Sequence, residues 1–570
     1  MTLFIILIIA LLVFIAVKQQ FDEKKYLREC REETEKLFGN YPLFGKKHSE
    51  YVRLEELRQK RMDAKDGSCF ELDEISSKDL EIESIHDLID CCGSFYGEER
   101  LWNMLKNPSM DMEELKKREA LITALYEAAE ERLGLQLAFD EIGRDYKRGI
   151  RELTEGFEYS NEEEERAEKR ALISDCVCLF MGILASVMIF GAPTAGFFIF
   201  LLVLFVNLIT YFKRKKRINR LLEDYQGILR LLYAADKVCS IKAEGEIGER
   251  IGFIKKELEE CRSLLSGSGL LLHLHNATGG ALDLVFDYLR MFLHTDLIRF
   301  YFVRRKAGLA KGQLWRLSDM VGEVDAAIAA ASFRKRMEGN WCRPEFTQDK
   351  RLQIEELWHP LLEHPVKNSI DIEGGMLLTG SNASGKSTFL RAAGLSIVLA
   401  QSIMTVPAKK YRFHLTDVKS SMNLSDDIHI GASYYMAEIK SLKRILDEAN
   451  CGKPLFCAID EVLKGTNTAE RIAASGEILR YLRKYPNVTC FVATHDLELL
   501  DLLKGEYEPY YFLEDIEEES EGVKFSYKIN KGKSDKRNAI RLLRAYGYPE
   551  EITSAAQSIC SEYLSRGDYA

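Results

Sequence analysis

The eight residues GSNASGKS, from Gly380 to Ser387, constrain the fold of this chain more than any other stretch. An apolar MLL precedes them and a helix-compatible TFLRAAGLSIVLAQ follows, so the pattern G-x-x-x-x-G-K-[ST] stands between a predicted strand and a predicted helix. Glycine at 380 and 385 lets backbone N–H groups converge on phosphate oxygens, and the helix N-terminus adds a favourable dipole. Lys386 is expected to reach the β and γ phosphates, and Ser387 to ligate Mg²⁺. The sequence therefore predicts a nucleotide-binding phosphate loop.

Two carboxylates stand side by side at the end of a second predicted core strand. The apolar run LFCAID ends at Asp460, and Glu461 follows it directly. Because adjacent carboxylates repel each other, a cation is expected close to them. We predict that Asp460 holds Mg²⁺ and that Glu461 polarises a water molecule for attack on the γ phosphate. Taken alone, the pair also fits a buried strand that meets a solvated turn, and the phosphate loop favours the catalytic interpretation.

A third apolar strand, TCFVATH, ends at His495. A side chain at the end of this strand is placed where it can touch the γ phosphate of a bound nucleotide. By itself His495 would be an ordinary histidine at a strand end. Beside the other two motifs, it is predicted to act in catalysis with Lys386 and Glu461.

The composition and the spacing of apolar residues change near residue 341. Residues 18–171 and 213–340 are rich in Leu, Glu, Lys and Arg with apolar residues three to four positions apart, which predicts packed helices. From 341 to about 530 short apolar strands alternate with helices, which predicts a largely parallel core sheet, and a helical tail begins at Asn538. The predicted fold class is an α/β P-loop ATPase domain, residues 341–570, preceded by an all-helical region with transmembrane helices.

Two regions are apolar enough to enter a membrane. Residues 1–17, MTLFIILIIALLVFIAV, lack the preceding charge and the cleavage site of a signal peptide, and they predict an uncleaved transmembrane anchor. Residues 172–212 predict a transmembrane hairpin with its turn at 191–194, GAPT; a buried pair of soluble helices is the alternative. The basic KRKKR at 213–217 flanks the hairpin. Since positive charge marks the inner side, we predict a multi-pass protein of the cell membrane with a cytoplasmic ATPase domain.

Other features of the chain are predicted to be structural. The apolar segment 281–303 carries charges throughout and predicts an amphipathic or core helix, not a further span. His273, His275 and His294 have no carboxylate or cysteine at a metal-binding spacing. Thirteen cysteines without a CxxC motif predict the reduced thiols of a cytosolic compartment. The net charge of -10 does not indicate a nucleic-acid binder over the whole molecule, which leaves only local basic patches.

Several motifs together resemble one family of proteins. LLTGSNASGKSTFLRAAGLSIVLAQ, SDDIHIGASYYMAEI, IDEVLKGTNT and VATHDLEL follow in the order and spacing of the ATPase domain of the MutS family of DNA mismatch repair proteins. LWHPLLE at 357–363, FSYKINKG at 525–532 and GYPEEITSAA at 547–556 resemble further segments of that domain. Residues 101–127 are similar to the start of the family's helical core and lever region. The resemblance does not extend to the predicted membrane segments.

The resemblance implies a set of site residues and partners. It implies that ATP is bound by the loop residues Gly380, Ser381, Asn382, Ala383, Ser384, Gly385, Lys386, Ser387 and Thr388. Ser433 matches the signature serine that reaches the nucleotide of the partner subunit, and Glu438 matches the acidic residue that ends that motif. Asp460 with Ser387 is implied for Mg²⁺, Glu461 for water activation and His495 as a switch. The family pattern further implies a homodimer with composite ATP sites, and DNA as a partner.

The chain departs from the family pattern in four respects. Ala383 stands where the family usually has Met, and the turn VLKGTNT, 462–468, replaces an ending that favours Gly-Arg-Gly-Thr-Ser-Thr. No segment resembles the mismatch-reading domain with its Phe-x-Glu wedge; the triplet at 21–23 fits by chance. The DNA clamp is not recognisable either, and the predicted hairpin falls in the comparable part of the chain. These departures make direct mismatch recognition doubtful.

The leading hypothesis is a membrane-anchored MutS-like ATPase in which nucleotide-dependent closure of a dimer moves helical levers and the hairpin. A DNA repair role is what the resemblance implies, and the basic segments 213–217 and 302–316 are candidates for phosphate contacts. The first is better explained as a positive flank of the hairpin, and the second as a solvated helix. The alternatives are a transporter-type ATPase and a signalling adaptor in the membrane without DNA binding. The signature GASYYMAEI differs from the Leu-Ser-Gly-Gly-Gln type of transport ATPases.

Overall fold

The computed structural model describes most of the chain. The described residues are 21, 24–42, 45–62, 71–144, 148–265, 288–381, 384–422, 434–464, 466–512, 517–519, 522–524, 526–533, 539–545 and 547–566. The predicted anchor at 1–17 lies outside them. So do Asn382, Ala383, Ser433 and Gly465 of the predicted site, the two histidines His273 and His275, and Asn538 at the predicted start of the helical tail.

Helices make up the first part of the described chain, as the apolar spacing predicts. They are α1 His48–Met62, α2 Glu74–Asp79, α3 Ile82–Ile89, α4 Phe95–Lys106, α5 Met112–Glu127, α6 Ala129–Asp140 and α7 Ile150–Glu155. Side-chain oxygens of Asp73, Ser94 and Asp111 accept backbone N–H groups at the starts of α2, α4 and α5. Such caps satisfy N–H groups that have no partner within the helix, so short polar residues set these helix starts.

Two long helices, α8 Glu162–Gly191 and α9 Pro193–Ser240, pack against each other as a hairpin. Ala192 alone joins them, and Pro193 occupies the first position of α9, where its missing N–H is no loss. Both helices are long and apolar enough to cross a membrane, judged by length and composition. Much of their outer surface is apolar and exposed, including Phe180, Leu184, Val187, Phe190, Phe198, Leu202, Phe205 and Phe212.

Helix α9 continues far beyond its apolar half. It has 48 residues, which corresponds to a length of about 72 Å. From Tyr225 to Val238 its side chains are largely buried, and it packs there against α6, α7 and α10 Gly245–Leu265. One continuous helix therefore links the hairpin to the core of the helical region.

The segment predicted as one helix over 281–303 is broken where the structure describes it. Residues 288–293 are helical, His294 has a φ of 53° in the left-handed region, and α11 Thr295–Leu309 begins directly after it. This corrects the prediction of a single helix, because bonds from the His294 side chain to α8 and α9 hold the break. Helix α11 buries Leu297, Phe300 and Val303, as expected of a core helix, and α12 Lys311–Arg336 follows it.

Strands appear after α12 and form the predicted α/β domain. They are β1 Glu345–Phe346, β2 Arg351–Leu357, β3 Asn368–Glu373, β4 Gly375–Thr379, β5 Lys410–Phe413, β6 Asp417–Ser421, β7 Leu455–Asp460, β8 Val488–Thr494, β9 Glu508–Phe512, β10 Glu517–Glu519, β11 Gly522–Lys524 and β12 Ile529–Lys531. The accompanying helices are α13 Lys386–Ile403, α14 Tyr434–Asn450, α15 Thr468–Arg483, α16 Glu498–Leu502, α17 Ala539–Ala545 and α18 Glu550–Arg566.

The main sheet brings the predicted motifs to one edge. Its strand order is β12-β9-β4-β8-β7-β6, and every neighbouring pair is parallel except β12 with β9. A smaller mixed sheet has the order β1-β5-β2-β3. The phosphate loop follows β4, His495 follows β8, and Asp460 ends β7. Since carboxyl ends of adjacent parallel strands share an edge, these three motifs converge there.

Candidate active site

The phosphate loop leaves the central strand β4 and enters helix α13 at Lys386. Gly380 and Gly385 have φ angles of 145° and 101°, a backbone region that residues with a Cβ rarely adopt. A Cβ placed on Gly380 would also lie 2.7 Å from the Ser384 hydroxyl oxygen. Both glycines are therefore required by the path of the loop as well as by the approach of phosphate.

Lys386 points its ammonium back into the loop. Its Nζ donates to the carbonyl oxygens of Gly380 at 2.7 Å and Ser381 at 2.8 Å. The same atom lies 3.3 Å from Nε2 of His495, and the side chain is almost fully buried. A cation is thus fixed between the loop and the end of β8, where phosphate oxygens would meet it.

Ser387 and Asp460, the two predicted Mg²⁺ ligands, are in direct contact. The Ser387 hydroxyl donates to Oδ2 of Asp460 across the gap between α13 and β7. Both atoms are hard oxygen donors of the kind that Mg²⁺ prefers. Among the residues that the structure describes, no group of three or more His, Cys, Asp or Glu side chains is placed to hold a metal. This pair fits an ion that completes its shell with water and phosphate oxygens rather than with a protein cage.

Glu461 is paired with His495. Oε1 of Glu461 lies 2.9 Å from Nε2 of His495, and Oε2 lies 3.5 Å from Nζ of Lys464. Because a carboxylate only accepts hydrogen bonds, Nε2 is the protonated nitrogen of this imidazole. The hydrogen bond from His495 lowers the pKa of Glu461 below its ordinary value despite the opposing effect of burial, and the charge of Lys464 lowers it further. The structure therefore brings together an ionised carboxylate and the predicted switch residue.

The turn after Glu461 is tied to the helix of the signature motif. Glu461 and Leu463 have φ angles of 64° and 58°, in the left-handed region. The backbone N–H of Lys464 donates to Oε1 of Glu438 at 3.0 Å, and Glu438 is 2% exposed. Asn467 caps α15 by accepting from the N–H of Glu470 at 3.0 Å. The predicted residue Glu438 thus fixes the turn within its own subunit, a partner that its position in the motif did not reveal.

A cavity of about 460 Å³ opens beside the loop. Its walls come from four separate places in the α/β domain: Leu357, Trp358, His359, Leu362, His364, Val366, Asn368, Gly385, Lys386, Ser387, Thr388, Phe389, Ala392, Phe512 and Tyr527. Apolar and aromatic walls with a few polar groups are typical of a small-molecule site. The cavity is continuous with Lys386 and Ser387, so it offers room for the base and sugar of a nucleotide whose phosphates would lie in the loop.

His359 is a member of this cavity that the sequence did not single out as a site residue. Burial lowers its pKa to about 4, helped by the charge of Arg391, so the ring is neutral. Nδ1 accepts from the N–H of Leu361 at 3.4 Å, which assigns the proton to Nε2. Nε2 is buried and has no hydrogen-bond partner within the described chain. The segment LWHPLLE was the available signal, but only the folded chain shows that its histidine faces the cavity.

Comparisons with known proteins agree with this geometry. The family described as MutS domain V matches residues 376–563. The DNA mismatch repair protein MutS of Aquifex pyrophilus is 30% identical over 251 residues, which are 43% of this chain and 29% of the relative. The DNA mismatch repair protein MutS of Clostridium kluyveri is 31% identical over 283 residues, which are 47% of this chain and 32% of the relative. MutS protein homolog 4 of Homo sapiens is 32% identical over 265 residues, 44% of this chain and 27% of the relative.

The matched part of the chain spans less than a third of the length of each of these relatives. It contains the phosphate loop, the Ser387–Asp460 contact, the Glu461–His495 pair and α14. The helical region before residue 341 lies outside residues 376–563, which the family model matches. Residues 376–563 of this chain therefore belong to the MutS domain V family.

Proposed function

We propose that the protein is a membrane-anchored ATPase that binds and hydrolyses ATP with Mg²⁺. The observation that carries this proposal is the meeting, at one sheet edge, of the Ser387–Asp460 contact and the Glu461–His495 pair beside the phosphate loop. Phosphoryl transfer is catalysed mainly by positioning and by charge stabilisation. These residues supply a cation site, a fixed lysine and an ionised base, which are the parts that such a reaction needs.

Each side chain has a role that its surroundings support. Ser387 and Asp460 would hold Mg²⁺, which neutralises charge on the β and γ phosphates when it is bound. Lys386 would exchange the carbonyls of Gly380 and Ser381 for phosphate oxygens, since charge-assisted hydrogen bonds are stronger than those to neutral carbonyls. Glu461, ionised and held by His495, would accept the proton of the attacking water.

A homodimer with composite ATP sites is part of the proposal. Ser433, which the resemblance assigns to the partner's nucleotide, lies one residue before the start of α14. Glu438 on α14 accepts the N–H of Lys464, three residues after Glu461. Movement of the signature segment on a partner's nucleotide would therefore act on the turn beside this subunit's own base.

Contacts between the two regions support coupling of the ATP site to the helices. Helix α13 begins at the phosphate loop, and its far end is held by the helical region: Arg118 donates to the Ser402 carbonyl, and Arg334 donates to the Met404 carbonyl at 3.0 Å. Arg334 lies in the last turn of α12, which packs against α4, α5, α10 and α11. We infer that nucleotide-driven movement of α13 is passed through α12 toward the hairpin.

The membrane part of the proposal rests on the hairpin of α8 and α9. Small side chains such as Gly182 and Ala185 let the two helices approach closely, which is typical of helix pairs in lipid. Bulky apolar side chains face outward, for example Phe198 and Phe205 at 72% and 64% exposure. Lipid would cover this surface, and the basic residues 213–217 would lie at its inner boundary.

DNA is the partner that the names of the relatives imply, and the chain's own basic segment 302–316 gives it little support. In residues 302–316, Arg304 pairs with Glu164, Lys311 with Glu158, and Arg316 with Glu257. These cations are compensated by acids of neighbouring helices, so phosphate contacts there would have to displace existing pairs. A transporter-type or signalling ATPase without DNA binding is the alternative.

ATP turnover of the full chain in detergent, with and without homoduplex, mismatched and branched DNA, separates these functions. If DNA is the partner, we expect turnover to change at low salt and the change to fade between 50 and 200 mM salt, where phosphate contacts lose about 10³-fold or more in affinity. The same turnover with and without each DNA at low salt would contradict the DNA role and leave the alternative without DNA.

Replacing His359 tests the assignment of the cavity. His359→Ala is expected to weaken ATP binding about fivefold, because one net hydrogen bond contributes about 1 kcal/mol. Pyrophosphate, which occupies only the loop, should bind as before; both affinities can be measured by calorimetry. His414→Ala is the matched control, since His414 contacts the Thr347 carbonyl and does not line the cavity. Equal losses for ATP and pyrophosphate would show that His359 supports the loop instead of binding the base.

A further inference from the structure

Residues 288–293 lie against the apolar hairpin. Phe292 is 7% exposed and is buried in a cluster with Ala185 of α8 and Val203 of α9. Its ring centroid is 5.2 Å from that of Phe200. Gly182 permits this approach, because a Cβ there would be only 3.3 Å from Leu293 Cδ2. A third element therefore packs into the side of the helix pair that is proposed to enter the membrane.

The contacts of Phe292 show how far it lies along α9 from the basic residues 213–217. The apolar half of this helix ends at Phe212, just before the basic residues 213–217. At 1.5 Å per residue, Val203 lies about 14 Å and Phe200 about 18 Å from Phe212 along the axis. The hydrocarbon layer of a bilayer is about 30 Å thick, so both positions would be near its middle. Phe292 touches them and would lie at the same depth.

Asn207 explains how the helix can be interrupted at His294 within the hydrocarbon layer. The last carbonyls of a helix have no partner within it, and in lipid no water can satisfy them. The Asn207 amide, 2% exposed, donates to the Phe292 carbonyl at 2.8 Å and to the Cys178 carbonyl at 3.0 Å. A polar side chain inside a membrane helix costs free energy unless it is hydrogen-bonded. Asn207 is hydrogen-bonded, and its amide caps the end of the helical residues 288–293.

The polar side chains at the helix break, His294 and Asp296, find their partners on α8 and α9. His294 is fully buried, with Nδ1 at 2.9 Å from Oδ1 of Asp175 and Nε2 at 2.9 Å from the Asn207 carbonyl. Next to it, Tyr211 donates to Oδ2 of Asp296 at 2.7 Å. The polar groups at the point where the chain leaves the hairpin therefore pair with one another, as a segment that exits lipid requires.

The free side of residues 288–293 is suited to acyl chains. Tyr288 and Leu289 are 66% and 52% exposed. Arg290 is the only charged residue of the segment, and it is only partly exposed. We propose that residues 288–293 insert into the hydrocarbon layer beside α8 and α9, as a third membrane-embedded element that contacts lipid through Tyr288 and Leu289. This inference rests on the proposed membrane hairpin and revises the prediction that the segment 281–303 is an amphipathic or core helix that does not enter the membrane.

Photo-crosslinking of the full chain in phospholipid vesicles tests the insertion. Leu289→p-benzoylphenylalanine is expected to form lipid adducts on irradiation, detected by mass spectrometry. Phe205→p-benzoylphenylalanine reports on the hairpin itself, and Leu309→p-benzoylphenylalanine, at a site 79% exposed in α11, is the matched water-facing control. Adducts at 205 and not at 289 would overturn the inference alone. The absence of adducts at both sites would overturn the proposed hairpin as well.

A second variant tests the capping by Asn207. Asn207→Val removes the amide that bonds the Phe292 carbonyl and places an apolar side chain at this position of α9. We expect the adduct yield at 289 to fall severalfold and the yield at 205 to stay the same. The Phe292 carbonyl loses its partner, whereas the Cys178 carbonyl, which the amide also bonds, lies inside α8 and keeps the hydrogen bond of the helix. A loss at both positions would mean that Asn207 holds the hairpin together, and equal yields at 289 with and without the amide would remove its role as a cap.

Discussion

Glu461→Gln is expected to lower ATP turnover by about 10²- to 10⁴-fold, the usual contribution of a general base. Glutamine has the same shape and still accepts the hydrogen bond from His495, so the ATP site should keep its geometry. What it loses is the basic oxygen that takes the proton of water. Nucleotide binding should be retained, and a nucleotide-bound dimer should accumulate because the step that ends the bound state is blocked.

Steady-state phosphate release and size-exclusion chromatography with ATP and Mg²⁺ measure the two effects. Glu477→Gln is a suitable control, since Glu477 is an exposed residue of α15 that pairs with Arg480 and lies outside the site. It should leave turnover within about twofold, as expected of a surface change that touches nothing in the site. If Glu461→Gln hydrolysed ATP at the rate of the unchanged chain, Glu461 would not be the base.

The positions of the candidate catalytic groups could be predicted because each lies at or after the end of a strand that the sequence marks clearly. β4, β7 and β8 are continuous apolar runs, as expected of strands buried on both faces. A side chain that follows such a run must emerge at the sheet edge. Ser387 and Asp460 therefore meet although 73 residues separate them.

The contacts between these groups could not be predicted from the motifs. The hydrogen bonds of Lys386 to its own loop, the bond from Lys464 to Glu438 and the approach of His359 to the cavity depend on how distant segments pack. The break at His294 is a similar case. Charges recurring through 281–303 are compatible with one amphipathic helix, and only bonds to Asp175 and Asn207 show why the chain turns there.

Part of the departure of the turn 462–468 from the family pattern has a physical explanation. Asn467 stands where the pattern has serine, and both residues are good N-caps, so the start of α15 is preserved. Leu463 stands where the pattern has glycine, and its φ of 58° costs a residue with a Cβ about 1–2 kcal/mol. The strain lies two residues after Glu461, beside the Lys464 contact to Glu438. This turn is therefore held in place by its surroundings rather than by its own preference.

Arg334→Ala should be the most destabilising single change at the junction between the two regions. Arg334 is 1% exposed and donates to the Thr405 hydroxyl at 2.8 Å, the Met404 carbonyl at 3.0 Å and the carboxylate of Glu119. Its guanidinium also lies 4.6 Å from the centre of the Trp341 ring. Removing one partner of a buried pair costs about 3–5 kcal/mol, because the other partner is left uncompensated. We expect a loss of this size in the free energy of unfolding, measured by urea titration.

Two further variants separate this effect from a simple loss of charge. Arg343 also pairs with Glu119, but it is 56% exposed, so Arg343→Ala should cost less than about 1 kcal/mol. Arg334→Lys keeps the charge and loses the planar fork, which alone reaches Thr405, Met404 and Glu119 together, so it should remain closer to Arg334→Ala than to the unchanged chain. If Arg334→Ala were no more costly than Arg343→Ala, the end of α13 would not depend on α12, and the proposed route from the ATP site to the hairpin would lose its connection.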